Sequence, residues 1–143
     1  MELLTDGTFW SALATIVTLV ALIYSIQTFS KTMQASHYTE LDAMYMEILK
    51  MALDKPYLIT STTIREAQQE QEYDIYAFMV WNFVEAIYDR CESDKDLCET
   101  WYPIIDAENR KHGQWFAHPD NRHKFKETFH RFIGEGSYAA CAA

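Results

Sequence analysis

Residues 9–29 run through 21 consecutive positions without one charged side chain. A helix over that run, rising 1.5 Å per residue, is about 31 Å long and matches a bilayer hydrocarbon core of roughly 30 Å. A chain crossing lipid must satisfy its backbone N–H and C=O groups within the segment, and a single span does so only as a helix. The chain therefore divides on this run. Residues 1–8 read as an N-terminal tail, 9–30 as one transmembrane helix, 31–133 as a helical soluble domain and 134–143 as a loosely ordered tail.

A cleaved signal peptide needs a basic leader and an apolar core of only 7–15 residues. Residues 1–8 contain no Lys or Arg but do contain Glu2 and Asp6, so the segment reads as a retained anchor. The nearest cation after it is Lys31, with Lys50 further on, and none precedes it. By the positive-inside rule the N-terminus lies outside and the C-terminal domain in the cytoplasm. Phe9, Trp10, Tyr24 and Phe29 sit near the two ends, where an interfacial aromatic belt belongs. Ala14 and Thr18 form a small-xxx-small pair, which allows homo-oligomer contact through the span. Cys91, Cys98 and Cys141 follow no C-x-x-C or zinc spacing, and in a cytoplasmic domain they read as reduced thiols.

The formal charge of −9 is spread unevenly. Residues 40–106 carry 15 acidic against 5 basic side chains, whereas residues 107–133 carry 6 basic against 3 acidic. So acidic a chain is a poor nucleic-acid partner. The basic stretch reads chiefly as a terminal helix docking on acidic neighbours, with Lys124, Lys126 and Arg131 as candidate contacts to a partner or to anionic lipid headgroups.

Helical periodicity organises the rest. Leu41, Tyr45, Ile48, Leu49 and Ala52 recur at helical spacing, and no Gly or Pro interrupts the chain from Thr8 until Pro56. The membrane helix should run on and end near Asp54. Thr63 and Glu66 have capping-box spacing, which predicts a second helix over 63–90. Its apolar positions, among them Ile64, Ala67, Ile75, Phe78, Met79, Trp81, Val84, Ile87 and Tyr88, cover more than one face, as befits the most buried helix. After a turn at 91–96, with Ser93 or Asp94 as cap, a third helix is predicted over 95–112. Leu97, Trp101, Ile104 and Ile105 form its inner side, Pro103 kinks it and Gly113 stops it. Trp115 and Phe116 form a packed connector, His118-Pro119 a turn, and a last helix over 120–133 presents Phe125, Phe129, Phe132 and Ile133 before Gly134. No alternation of period two appears, and the expected fold class is all-α: one transmembrane helix continuing into a bundle of three to four helices.

No phosphate-binding glycine loop, H-E-x-x-H or other site motif occurs, so neither catalysis nor a cofactor is expected. Glu127 and His130 make a single Glu-x-x-His pair, whereas a di-iron site needs two such pairs and two further glutamates on facing helices. His112, His118, His123 and His130 lack paired ligand spacing and read as surface residues. His37 reads as an interfacial side chain. Asn82 and Glu85, at i and i+3 of an otherwise apolar helix, need partners and are expected to form a structural polar network with His130.

Leu41-x-x-x-Tyr45-x-x-Ile48, Pro56-x-Leu58, Phe78-x-x-x-Asn82-x-x-Glu85-x-x-Tyr88, Leu97-x-x-x-Trp101-x-Pro103 and Trp115 ahead of Phe125 and Phe129 appear in order. On these landmarks the chain resembles a group of uncharacterised bacterial single-span membrane proteins with a short helical cytoplasmic domain. The resemblance implies a bacterial inner-membrane location and brings no activity. The expected function is that of an accessory or scaffold subunit among other membrane protein subunits; the alternative is a tethered sensor that binds a ligand or anionic lipid through the basic C-terminal helix.

Overall fold

A computed structural model describes residues 7–91 and 95–136 of the chain. Among them it contains five α-helices and no strand: α1 Gly7–Asp54, α2 Ala67–Cys91, α3 Lys95–Phe116, α4 Pro119–Arg122 and α5 Glu127–Gly134, with a 3-10 turn at Pro56–Leu58. The all-α class holds. By internal contacts the chain separates into two units, Met1–Thr39 and Glu40–Ala143. The expected cap at Ser93 or Asp94, and most of the expected C-terminal tail, fall outside the described residues.

In the first unit α1 is long and apolar enough to cross a membrane. Every side chain from Phe9 to Met33 is exposed, as a helix facing lipid or a partner requires. The threonine hydroxyls in this stretch are satisfied within the helix. Thr15 Oγ1 donates to Ser11 O at 2.9 Å, Thr18 to Ala14 at 2.8 Å and Thr28 to Tyr24 at 2.9 Å. Such i−4 bonds let polar residues sit in a low-dielectric medium without orphaned donors.

In the second unit α2 is the spine. It buries Tyr73, Tyr76, Ala77, Val80, Trp81, Phe83, Val84 and Ile87. On one side Phe83 stacks on Tyr45 at 5.2 Å, with the Trp101 edge at 5.4 Å from Phe83, while Leu41 and Ile48 are also buried. On the other side Trp81 stacks on Phe116 at 4.0 Å and meets the Phe129 edge at 6.1 Å. Helix α1 ends at Asp54, ahead of Pro56, as its sequence requires.

Several boundaries differ from the sequence expectation. Helix α2 starts at Ala67, not Thr63, because Arg65 captures the preceding loop. Its side chain, 1% exposed, donates from Nε to Tyr57 O at 2.8 Å, from Nη1 to Thr63 O at 3.0 Å and from Nη2 to Thr60 O. The guanidinium also lies 3.6 Å from the Tyr73 ring centroid. The helix start is then closed by Gln69, whose Oε1 accepts the Glu66 N–H at 3.1 Å, the returning half of a capping box one turn later than expected. Ile64 is left 98% exposed rather than buried.

Helix α3 does not stop at Gly113. The turn containing Trp115 and Phe116 continues it, and burial of these two rings outweighs the roughly 1 kcal/mol that glycine costs a helix. Pro103 lies inside the helix on its exposed side. The expected last helix over 120–133 is two pieces, α4 and α5, separated by a turn through which Phe125 enters the core. His118 caps α4 with Pro119 at its first position.

Arg65→Ala is expected to cost the second unit about 2–4 kcal/mol, since it strands loop carbonyls and removes a buried cation stacked on a ring. Near-UV circular dichroism melts in detergent read the loss. Arg65→Lys should recover less than half of it, because an ammonium lacks the planar fork. Equal melts for wild type and Arg65→Ala would refute the capture.

Candidate functional site

The stripe that α3 turns inward contains two residues that are not apolar. Glu108 is 2% exposed and His112 fully buried, which corrects the expectation of a surface histidine at 112. Glu108 Oε1 accepts from Tyr45 Oη at 3.2 Å and from Lys111 Nζ at 2.8 Å. His112 Nδ1 lies 3.0 Å from Tyr73 Oη, and the Tyr76 ring meets the imidazole edge-on at 5.6 Å. The Trp81 indole N–H donates to the His112 carbonyl at 3.3 Å.

Burial dominates the electrostatics here. It pushes the Tyr45 hydroxyl up to about 12, assisted by the Glu108 charge. Burial likewise raises Tyr73 to about 12, and it raises Tyr76. Burial first, then the Lys111 and Arg65 charges, pull His112 down to about 4. Glu108 Oε2 lies 3.6 Å from His112 Nε2 and would favour the imidazolium. That carboxylate already serves Lys111 and Tyr45, so burial prevails and the imidazole is neutral at pH 7. Its Nε2 makes no hydrogen bond. The imidazole and the tyrosines around it tie α1, α2 and α3 together.

The residues proposed from sequence as one polar network are engaged separately. Asn82 Nδ2 donates back to Phe78 O at 2.7 Å, Glu85 Oε1 accepts the Lys126 backbone N–H at 3.2 Å, and His130 Nε2 meets Arg122 O at 2.9 Å. Glu85 thereby supplies the acceptor at the start of α5. Lys126 Nζ pairs with Asp89 at 2.6 Å, and Lys124 bonds Asn121 Oδ1 at 2.6 Å while lying 4.9 Å from the Trp115 ring centroid. Arg131 is exposed and has no ion pair among the described residues. Of the span aromatics, Phe9 and Trp10 pack edge to face at 5.8 Å, and Tyr24 and Phe29 are exposed.

The outer face of α2 was expected in the core and is not. Ile75 is 64% exposed, and Phe78 and Met79 are each 39% exposed. Positions i, i+3 and i+4 place the three together on one helix face. A groove of about 200 Å³ between Met51, Leu58, Ile75, Tyr76 and Met79 borders the patch, and a shallower one of about 350 Å³ opens beside Ile75 and Phe78. Charges of both signs rim them: Asp54, Lys55 and Glu72 at the first, Asp74 and Lys124 at the second. Glu72 is held ionised, below the usual carboxylate range, by hydrogen bonds from Lys55 and then Tyr57. Flanking charge does not separate this face from the core, since buried Tyr73, Tyr76, Ala77 and Trp81 also have an acid one turn away, at Glu70, Glu72, Asp74 and Glu85. No protein-family model, curated protein or solved structure matches the chain.

Proposed function

We propose that the protein is a single-pass, membrane-anchored helical accessory or scaffold subunit with no catalytic activity of its own. Its span lies in a bacterial inner membrane, with the N-terminus outside and the helical domain in the cytoplasm, where it contacts another membrane protein of a larger assembly. One observation carries the reading: a domain with an apolar anchoring helix leaves Ile75, Phe78 and Met79 uncovered on the spine of its fold. Exposed apolar patches with polar rims are what protein contact surfaces present. The apolar lining selects the occupant, since the charges at the rims, Asp54, Lys55 and Glu72 at the first groove and Asp74 and Lys124 at the second, nearly balance. It is a segment of the neighbouring subunit that places apolar side chains in the groove.

A photo-crosslinking residue at Ile75 or Met79, introduced in the full chain in native membranes, tests this. The expected result is a discrete adduct to one membrane protein, mapping to a segment that presents apolar residues, and no adduct from the exposed position Arg110. Ile75→Asp should lower copurification of that protein about tenfold or more, equivalent to about 1.4 kcal/mol of contact. Uncrosslinked monomer from all positions would defeat the proposal. A self-adduct of twice the chain mass would replace the heterologous occupant with a second copy.

A further inference from the structure

A different surface has the opposite charge. Between the end of α3 and the α4–α5 segment lies a groove of about 560 Å³, and Arg122, Arg131, His130 and Asn109 line it, with Glu127 as its one acid. The volume falls in the range of small-molecule sites. On a chain of net charge −9 this concentration of cations is local; the groove beneath Tyr73, by contrast, is lined by Glu70, Asp74 and Asp120.

The Arg122 and Arg131 guanidiniums have donors to spare. Arg122 spends one guanidinium nitrogen on Glu127 at 2.7 Å, an exposed pair worth roughly 0–1 kcal/mol and readily exchanged. Arg131 has no ion pair among the described residues. His130 is fixed by stacking on Phe116 at 4.4 Å, and its Nε2–H donates to the Arg122 carbonyl, which leaves Nδ1 without a hydrogen bond among the described residues. At Gly134, on the groove wall, a β-carbon would meet nothing within 4 Å, so that side stands open.

We propose that this groove binds a phosphate-bearing anion, clamped between the Arg122 and Arg131 guanidiniums. A phosphomonoester offers three oxygens and close to two negative charges, enough to occupy both guanidinium forks together. Lys124 and Lys126 are not part of the site, because one covers Trp115 and bonds Asn121 while the other is paired with Asp89. The inference stands independently of the α2 contact surface, whose residues it does not use.

Isothermal titration of the full chain in phosphatidylcholine nanodiscs, with inorganic phosphate and with glycerol phosphate as probes, tests it. Saturable binding is expected, weakened about tenfold or more by Arg122→Gln and by Arg131→Gln and unchanged by Lys126→Gln. Both arginines are exposed, so the variants should melt as wild type does. No saturable binding of either probe, or binding unaltered in the Arg122→Gln/Arg131→Gln protein, overturns the proposal. Equal loss in Lys126→Gln also overturns it, since that pattern belongs to a diffuse basic surface. Repeating the titration in nanodiscs containing phosphatidic acid, a phosphomonoester lipid, separates two sources of the same chemistry: blocked binding assigns the groove to a lipid headgroup, and retained binding assigns it to a soluble phosphorylated compound.

Discussion

Trp81→Ala should be the most damaging single truncation in the helical domain, lowering its stability by about 3–5 kcal/mol. That is a large share of the 5–15 kcal/mol available to a typical domain. Trp81 is fully buried at the middle of α2, stacked on Phe116 of α3 and edge-on to Phe129 of α5, and its indole N–H satisfies the His112 carbonyl. Alanine would open a cavity where three helices meet and leave that interaction unmade. Loss of near-UV circular dichroism and a lowered melting temperature measure the effect in detergent. Trp81→Phe should retain most of the packing and forfeit the hydrogen bond, costing about 1–3 kcal/mol. Trp10→Ala, on the apolar run, serves as the control and should leave the domain's melt in place. A Trp81→Ala protein that melts with wild type would contradict the assignment of Trp81 to the core.

Where covalent geometry decides, the sequence was legible. Pro56 ends α1 at Asp54, and His118-Pro119 opens α4, because proline fixes one dihedral and removes one donor whatever surrounds it. Where long-range contacts decide, it was not. The capping-box spacing at Thr63 was real as a pattern, but Arg65 binds the carbonyls of that segment and moves the start of α2 to Ala67. Glu108 and His112 interrupt the apolar stripe of α3, so the pattern looks finished just where Gly113 offers a stop. The helix continues because Tyr45 and Lys111 bond Glu108 and Tyr73 bonds His112 Nδ1, and only the fold brings the tyrosines there. Ile75, Phe78 and Met79 show the converse limit. Apolar identity says that a face prefers to be covered, not what covers it, and the polar residues Asn82, Glu85 and His130 likewise needed partners without naming them. The groove between Arg122 and Arg131 depends on a turn that divides one expected helix into α4 and α5, so its residues lay in view while their convergence did not.

His112 makes the domain's stability depend on pH in a window that its burial sets. Its imidazole titrates near 6.5 when the chain is unfolded and near 4 in the fold. As pH falls through 6.5 the unfolded chain takes up the proton first, so stability declines from there and this group's loss is complete near pH 4. The gap of about 2.5 pH units corresponds to roughly 3 kcal/mol. The groups facing the ring from each packed element are Tyr73 and Tyr76 on α2, Glu108 and Lys111 on α3, and Arg65 on the loop before α2. Of these only Glu108 favours the imidazolium, and it is already held by Lys111 and Tyr45. Carboxylates elsewhere contribute their own slope over the same range, so the informative quantity is the difference between wild type and His112→Gln, whose amide does not titrate. Denaturant midpoints measured for both proteins between pH 7 and pH 4 should diverge at the high end and converge as pH falls, with wild type losing about 3 kcal/mol more across the interval. Parallel curves would mean that the imidazole ionises inside the fold as it does outside, and that Glu108 is partnered by His112 after all.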